Sequence, residues 1–194
     1  MKMKKFLSGI FVLIVALIIP SLIWAESKGP QASVELLLSE IRQINLGETE
    51  KHSQLALSML NVSEISKKAL GKYWAKRSNS EREKFQILLG EMFVRVAFPS
   101  SAKFFAELAL VYGKTNKKNQ KVVVPLTVVH KKEGEVGIDF HMIQAAGKWQ
   151  VVDVVLDGAS MRNNLRSKFY KTIKKKGFDK LILIMEKKLK TKKN

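Results

Sequence analysis

The chain has 194 residues, of which 35 are Lys or Arg, 17 are Asp or Glu and none is Cys, for a formal net charge of +18. Without cysteine there is no disulfide staple, no thiolate zinc site, no cysteine nucleophile and no lipid-modified cysteine. The excess of base suits an anionic counterpart: nucleic acid, an anionic membrane surface or an acidic protein.

In chain order, Lys2, Lys4 and Lys5 form a basic start without an acid. Phe6 to Ile19 is an unbroken small or apolar run, closed by Pro20 and by Ser21 to Ala25. This is the pattern of a secretory signal peptide over residues 1–25, with cleavage expected after Ala25. An uncleaved anchor is the alternative, since Phe6 to Ala25 is just long enough to span a bilayer. In both cases residues 26–194 are expected outside the cytoplasm as one domain, which argues against nucleic acid as a partner. Charge within that domain is uneven. Residues 158–194 carry 13 basic and 2 acidic side chains, net +11, whereas residues 26–157 carry only +4. Such a block reads either as a surface for an anionic membrane or acidic partner, or as a solvated helical face with a frayed tail.

The periodicity predicts helices, then strands, then helices. Val34, Leu37, Leu38, Ile41 and Ile44 recur at helical spacing behind Ser33 as a possible N-cap, and Gly47 ends the pattern. A second helix is expected over Lys51 to Leu60, and a short one within Asn61 to Lys72 with Ser63 as N-cap and Gly71 near its end. Ser80 then opens a helix whose stripe is Phe85, Leu88, Leu89, Met92, Phe93 and Val96, broken at Pro99. Ser100-Ser101 restarts a helix carrying Phe104, Phe105 and Leu108. From there the period becomes two, giving strands at Leu108 to Lys114, Lys121 to Lys131, Glu135 to Gln144 and Trp149 to Asp157. Thr115 to Gln120, Glu133-Gly134 and Ala146-Gly147-Lys148 read as turns between them. The expected sheet is a four-stranded antiparallel meander, with Pro125 making its strand an edge or a bulge. Val136, Ile138, Phe140 and Met142 fall on one face of the third strand and Gly137, Asp139 and His141 on the other. Two closing helices, hinged at Gly177, carry Met161, Leu165, Phe169 and Ile173, and then Phe178, Leu181, Ile182, Met185 and Leu189. The fold class is therefore α+β.

Catalytic chemistry finds little footing. His52, His130 and His141 are the only histidines and none has metal-binding helical spacing. There is no nucleophile elbow, P-loop or dinucleotide fingerprint. Asp153 and Asp157 are four residues apart on a strand, about 13 Å along the pleat, and Asp157-Gly158 reads as a turn. No metal and no cofactor is expected, and an enzyme is not the favoured reading. A lipid hydrolase using Ser160 or His141 remains the catalytic alternative to be tested.

The apolar complement is large. Phe85, Met92, Phe93, Phe98, Phe104 and Phe105 on helices face a sheet bearing Tyr112, Val124, Leu126, Phe140 and Trp149. One reading is simply a filled core. The other is that helices and sheet leave a slot for acyl chains. By face and position the wall of such a pocket is Phe93, Phe98, Phe105, Tyr112, Val124, Leu126, Phe140, Met142 and Val151.

Two segments are more specific. Leu70-Gly71-Lys72-Tyr73-Trp74 followed by Ser80-Glu81-Arg82-Glu83-Lys84-Phe85 resembles an "LG-x-x-W … ER-x-x-F" stretch of the MlaC, or toluene-tolerance, family. Trp149-Gln150-Val151-Val152-Asp153-Val154, Asp157-Gly158-Ala159-Ser160 and Asn164-Leu165-Arg166-Ser167-Lys168-Phe169 resemble its "W-x-V-x-DV … EG-x-S … N-Y-R-x-x-F" stretch. The order of elements is also similar from about Val34 to Leu189. The departures are Leu165 where the family usually has Tyr, and Asp157 where it has Glu. Arg166 is expected to orient the terminal helix by pairing with Asp153 or Asp157. The resemblance implies a periplasmic phospholipid carrier. Its partners would be an inner-membrane ABC transporter with an MCE-domain ring and an outer-membrane lipoprotein–porin complex. A periplasmic interaction or scaffold domain without lipid cargo is the alternative.

Overall fold

The computed structural model describes residues 29–44, 49–118, 121–130 and 134–191. The expected leader over residues 1–25, the helix stop at Gly47, and Asn119, Gln120 and Glu133 of the expected turns lie outside these residues.

Among the described residues five α-helices come first: α1 (Pro30–Gln43), α2 (Thr49–Ser58), α3 (Val62–Leu70), α4 (Asn79–Met92) and α5 (Phe98–Phe105). Six strands follow: β1 (Ala109–Tyr112), β2 (Asn116–Lys118), β3 (Lys121–His130), β4 (Gly134–Ala145), β5 (Lys148–Leu156) and β6 (Ala159–Ser160). Helices α6 (Met161–Lys176) and α7 (Phe178–Lys190) close the chain, with Gly177 at φ 81° between them. The α+β class and the helix–sheet–helix order hold.

The helix starts differ from the sequence expectation in a consistent way. Pro30 occupies the first turn of α1, where its fixed φ is pre-organised and its missing N–H costs nothing, so Gly29 is the N-cap. Ser33 therefore lies inside the helix, and its hydroxyl donates to the Gly29 carbonyl at 3.1 Å. In α3 the cap is Asn61 and not Ser63: Asn61 Oδ1 accepts from the Glu64 N–H at 2.9 Å. Asn61 is fixed there because its own N–H donates to the Val151 carbonyl and its side-chain amide donates to Gln150. In α4 the cap is Ser78 and not Ser80. Ser78 Oγ accepts from Glu81 N–H and Glu81 Oε2 accepts from Ser78 N–H at 2.7 Å, a reciprocal capping box. These hydrogen bonds hold the Glu81 carboxyl below its ordinary range, the backbone bond from Ser78 acting most strongly.

Pro99 does not break the helix as expected. Phe93–Ala97 widens into a π-turn in which the Phe98 N–H reaches back to the Phe93 carbonyl, and Pro99 falls in the first turn of α5. The extra residue in that turn accommodates a proline whose N–H is missing. The helix accordingly resumes at Phe98 and not at Ser100.

The sheet is antiparallel in the order β1-β3-β4-β5-β6, with β2 also on β3. The expected four-strand meander is thus extended by β6 and by β2, which occupies the expected turn Thr115 to Gln120. Pro125 explains the split between β1 and β2. Its carbonyl accepts from Gly113 N–H at 2.9 Å, and in an antiparallel ladder a residue's N and O point to the same neighbour. The missing N–H of Pro125 therefore faces the gap between β1 and β2. β3 is paired on both sides, so it is not an edge strand; the interruption is transferred to its neighbour.

β4 alternates as expected: Ile138, Phe140 and Met142 are buried, while Gly137 is exposed and Asp139 and His141 are only partly covered. Between β4 and β5 the register shifts, so that Met142 opposes Val151, His141 opposes Asp153, and Val152 is the extra residue of a bulge. The turns joining β4 to β5 and β5 to β6 place Ala146-Gly147 and Asp157-Gly158 at positive φ, the conformation of tight two-residue hairpins. Asp157 fits its turn by accepting from Gly137 N–H through Oδ1 at 3.0 Å.

Candidate functional site

Helices α1, α3 and α6 lie against the sheet. The covered face is a continuous aliphatic surface: Val122, Val124, Leu126 and Val128 of β3 oppose Met142, Phe140, Ile138 and Val136 of β4. Paired residues share a face, so Val151 and Val154 join it through Met142 and Phe140. The bulge makes this possible, because strict alternation from Val151 would have turned Asp153 toward the helices.

Of the nine residues expected to wall a pocket, Val124, Leu126, Phe140, Met142 and Val151 are at most 3% exposed and sit together on this face. Phe98 and Phe105 are buried in the same core, and Phe93 is partly buried, stacked on Phe98 with ring centroids 6.1 Å apart. Tyr112 is partly buried at the edge of β1. Phe104 turns outward at 44% exposure, edge-on to Phe105.

Tyr112 borders a cleft of about 530 Å³ between α1 and β1, lined by Glu35, Leu38, Ser39, Arg42, Gln43, Leu108, Ala109, Leu110 and Tyr112. Arg42 anchors its wall: Nε donates to the Phe105 carbonyl at 3.1 Å and Nη2 to the Leu108 carbonyl at 2.6 Å, tying α1 to the end of α5 and the start of β1. The Tyr112 phenol is pushed above its ordinary range, first by burial and then by the Glu35 carboxylate, with Arg42 opposing. The apolar reading of the sequence missed the polar wall. Glu35, Ser39 and Arg42 follow the helical i, i+4, i+7 spacing beside the Leu38 stripe, and that pattern is the signal that could have located it.

The residues that carry the family resemblance meet elsewhere. Phe85 of α4 packs edge-on to Phe169 of α6, 5.4 Å between centroids. Gly71, at φ 47°, lies under Tyr170, whose hydroxyl accepts from Lys72 N–H at 2.9 Å. Arg82 donates to the Trp74 carbonyl at 3.1 Å with its guanidinium 5.4 Å from the Trp74 ring centre. Arg166 pairs with neither Asp153 nor Asp157; its Nε donates to the Lys68 carbonyl at 2.8 Å, joining α6 to the end of α3. The partner of Asp153 is Arg162, one turn earlier, with Nη2 at 3.3 Å. Asp153 also accepts from Ser160 Oγ at 2.6 Å and from Arg162 N–H at 3.0 Å. Ser160 Oγ in turn accepts from Asn163 N–H as the N-cap of α6. Both segments thus build one joint that holds α6 across α3, α4 and β5.

The Ser160 hydroxyl is committed to this joint on both its donor and acceptor sides. His52 Nδ1 lies 2.6 Å from Glu40 Oε2. Among the described residues no group of three His, Cys, Asp or Glu side chains is arranged to hold a metal, and no helix is long and apolar enough to cross a membrane.

Comparison with curated proteins gives no match. Among solved structures, the chain is similar to the phospholipid-binding protein from Ralstonia solanacearum, determined in complex with a phospholipid. The TM-score is 0.70 at 17% sequence identity, and the match covers 84% of this chain and 96% of that one. Residues 40–187, most of the chain and both segments of the joint, match the MlaC protein family, and the chain belongs to that family.

Proposed function

We propose that the protein is a periplasmic phospholipid carrier, the soluble component of an ABC-type lipid transport system that moves lipid between the outer and inner membranes. Membership of the MlaC family carries this reading, and the fold it shares with a protein that binds a phospholipid supports it. Phe93, Phe98, Phe105, Tyr112, Val124, Leu126, Phe140, Met142 and Val151 form the acyl wall. The signal segment over residues 1–25 delivers the chain to the periplasm.

The physical task is transfer without covalent chemistry. Each acyl methylene exposed to water costs about 0.8 kcal/mol, so a diacyl lipid with roughly thirty of them does not cross an aqueous gap unaided. Loading requires the helices to part from the aliphatic sheet face. Acyl methylenes then replace the contacts that Leu126, Phe140 and their neighbours make with the helices, so little apolar surface faces water in either state. The exposed lysines of α6 and α7 supply long-range attraction to an anionic membrane or to acidic surfaces on the transporter and on the outer-membrane complex.

The close packing of Val124, Leu126 and Met142 in one core favours a rival: a periplasmic interaction domain with a filled interior and no cargo. Native mass spectrometry of the exported protein, purified without added lipid, separates the two. Near one phospholipid per chain is expected. Bare protein that also takes none from vesicles would sink the carrier reading and leave the interaction domain.

A further inference from the structure

We propose that the cleft between α1 and β1 is the mouth of the lipid slot and holds a zwitterionic phospholipid headgroup, with its phosphate on Arg42 and its ammonium on Glu35. The inference rests on the carrier reading and adds where the cargo emerges and which headgroup is preferred.

Position is the first argument. Leu110 and Tyr112 of β1 oppose Val128 and Leu126 of β3, and Leu126 opposes Ile138 of β4. The floor of the cleft is therefore the rim of the same aliphatic face that runs inward to Phe140. Leu38, almost fully buried, continues that floor beneath α1. Chains lying between α1 and the sheet end in the cleft, which places the polar end of the molecule at its opening.

Charge is the second argument. Glu35 and Arg42 stand two turns apart on one stripe of α1, with Ser39 between them, and all three line the cleft. The two hydrogen bonds from Arg42 to the Phe105 and Leu108 carbonyls fix the guanidinium and take two of its five N–H groups. The others can meet phosphate oxygens, the geometry that guanidinium suits. Glu35 accepts from Gln31 through Oε1 at 2.9 Å, which steadies its carboxylate at the opposite end. Tyr112 lines the same cleft, and its phenol, pushed up first by burial, is pushed further by Glu35 and opposed by Arg42. A net-anionic headgroup would satisfy Arg42 but be repelled by Glu35; a zwitterion satisfies both.

The test offers the purified protein to vesicles of equimolar phosphatidylethanolamine and phosphatidylglycerol with identical acyl chains. Native mass spectrometry then reads the bound lipid. Wild type should enrich phosphatidylethanolamine roughly fivefold, the worth of one exposed ion pair. Glu35→Gln should remove the enrichment. Ser39→Trp, which fills the cleft from an exposed position without breaking a hydrogen bond of the fold, should lower occupancy by both lipids. Equal uptake by wild type, or enrichment unchanged in Glu35→Gln, would overturn the headgroup assignment and leave the carrier intact. Uptake unchanged in Ser39→Trp would overturn the placement of the mouth. If wild type took neither lipid, both readings would fall together.

Discussion

Asp153→Ala tests the joint that the family-like segments build. The Asp153 side chain is 2% exposed and its two oxygens receive Ser160 Oγ, Arg162 N–H and Arg162 Nη2. Alanine leaves the Arg162 guanidinium, itself only 24% exposed, without its carboxylate. Breaking a buried charge pair by removing one partner costs about 3 to 5 kcal/mol, a large share of the stability of an ordinary domain. With a urea dependence of roughly 2 kcal/mol per molar, the unfolding midpoint followed by circular dichroism should fall by about 2 M. Adding Arg162→Met should recover part of the loss, with a coupling of about 1 kcal/mol or more in the double-mutant cycle. A loss under about 1 kcal/mol for Asp153→Ala, or strict additivity with Arg162→Met, would refute the claim that this carboxylate anchors α6. Ser160→Ala should cost about 1 kcal/mol as a lost N-cap. Any ester hydrolysis abolished by that change would reopen the catalytic reading.

Phe140→Asp places a carboxylate in the middle of the aliphatic face, where Phe140 is 3% exposed. The carrier reading expects no lipid in extracts of any folded fraction, and normal retention there would remove Phe140 from the acyl wall. Gly71→Ala drives a Cβ into the Tyr170 hydroxyl at a left-handed backbone position, so thermal unfolding should drop by several degrees. Adding Tyr170→Phe should restore only part of that drop, because the backbone strain remains. The raised Tyr112 value means that the folded state holds its proton longer than the unfolded chain does. Its stabilising contribution is therefore intact below the ordinary phenol value of 10.0 and is lost as pH rises through the folded value. In a spectroscopic titration one late tyrosine should vanish in Tyr112→Phe and move to lower pH in Glu35→Gln. Transfer of labelled phospholipid between anionic vesicles should slow as salt screens the α6–α7 lysines; a salt-independent rate would dismiss their role.

The elements were legible where a single periodicity ruled. The stripes Val34–Leu37–Leu38–Ile41 and Phe178–Leu181–Ile182–Met185 are buried as their spacing demands, and the alternation along Ile138–Phe140–Met142 fixed which face of β4 is covered. Helix starts were misread because Ser33, Ser63 and Ser80 compete with neighbours of equal local merit. Pro30, Asn61 and the Ser78–Glu81 pair won through bonds to groups nearby in the chain or, for Asn61, on β5. Pro99 looked like a stop because a missing N–H ends an α-helix, yet a π-turn accommodates it.

The sequence by itself determined the class of fold, the apolar faces and the family, because burial periodicity and motif spacing are properties of neighbours along the chain. Only the tertiary structure decided the partners of polar groups. Arg162 and not Arg166 meets Asp153, since Arg162 lies in the first turn of α6, two residues after Ser160, whose hydroxyl the same carboxylate holds. Likewise Glu35 and Arg42 became walls of a cleft only when β1 was laid beside α1. A hydrogen bond or a charge pair between elements far apart in sequence depends on ångström-scale placement, which spacing along one element does not fix.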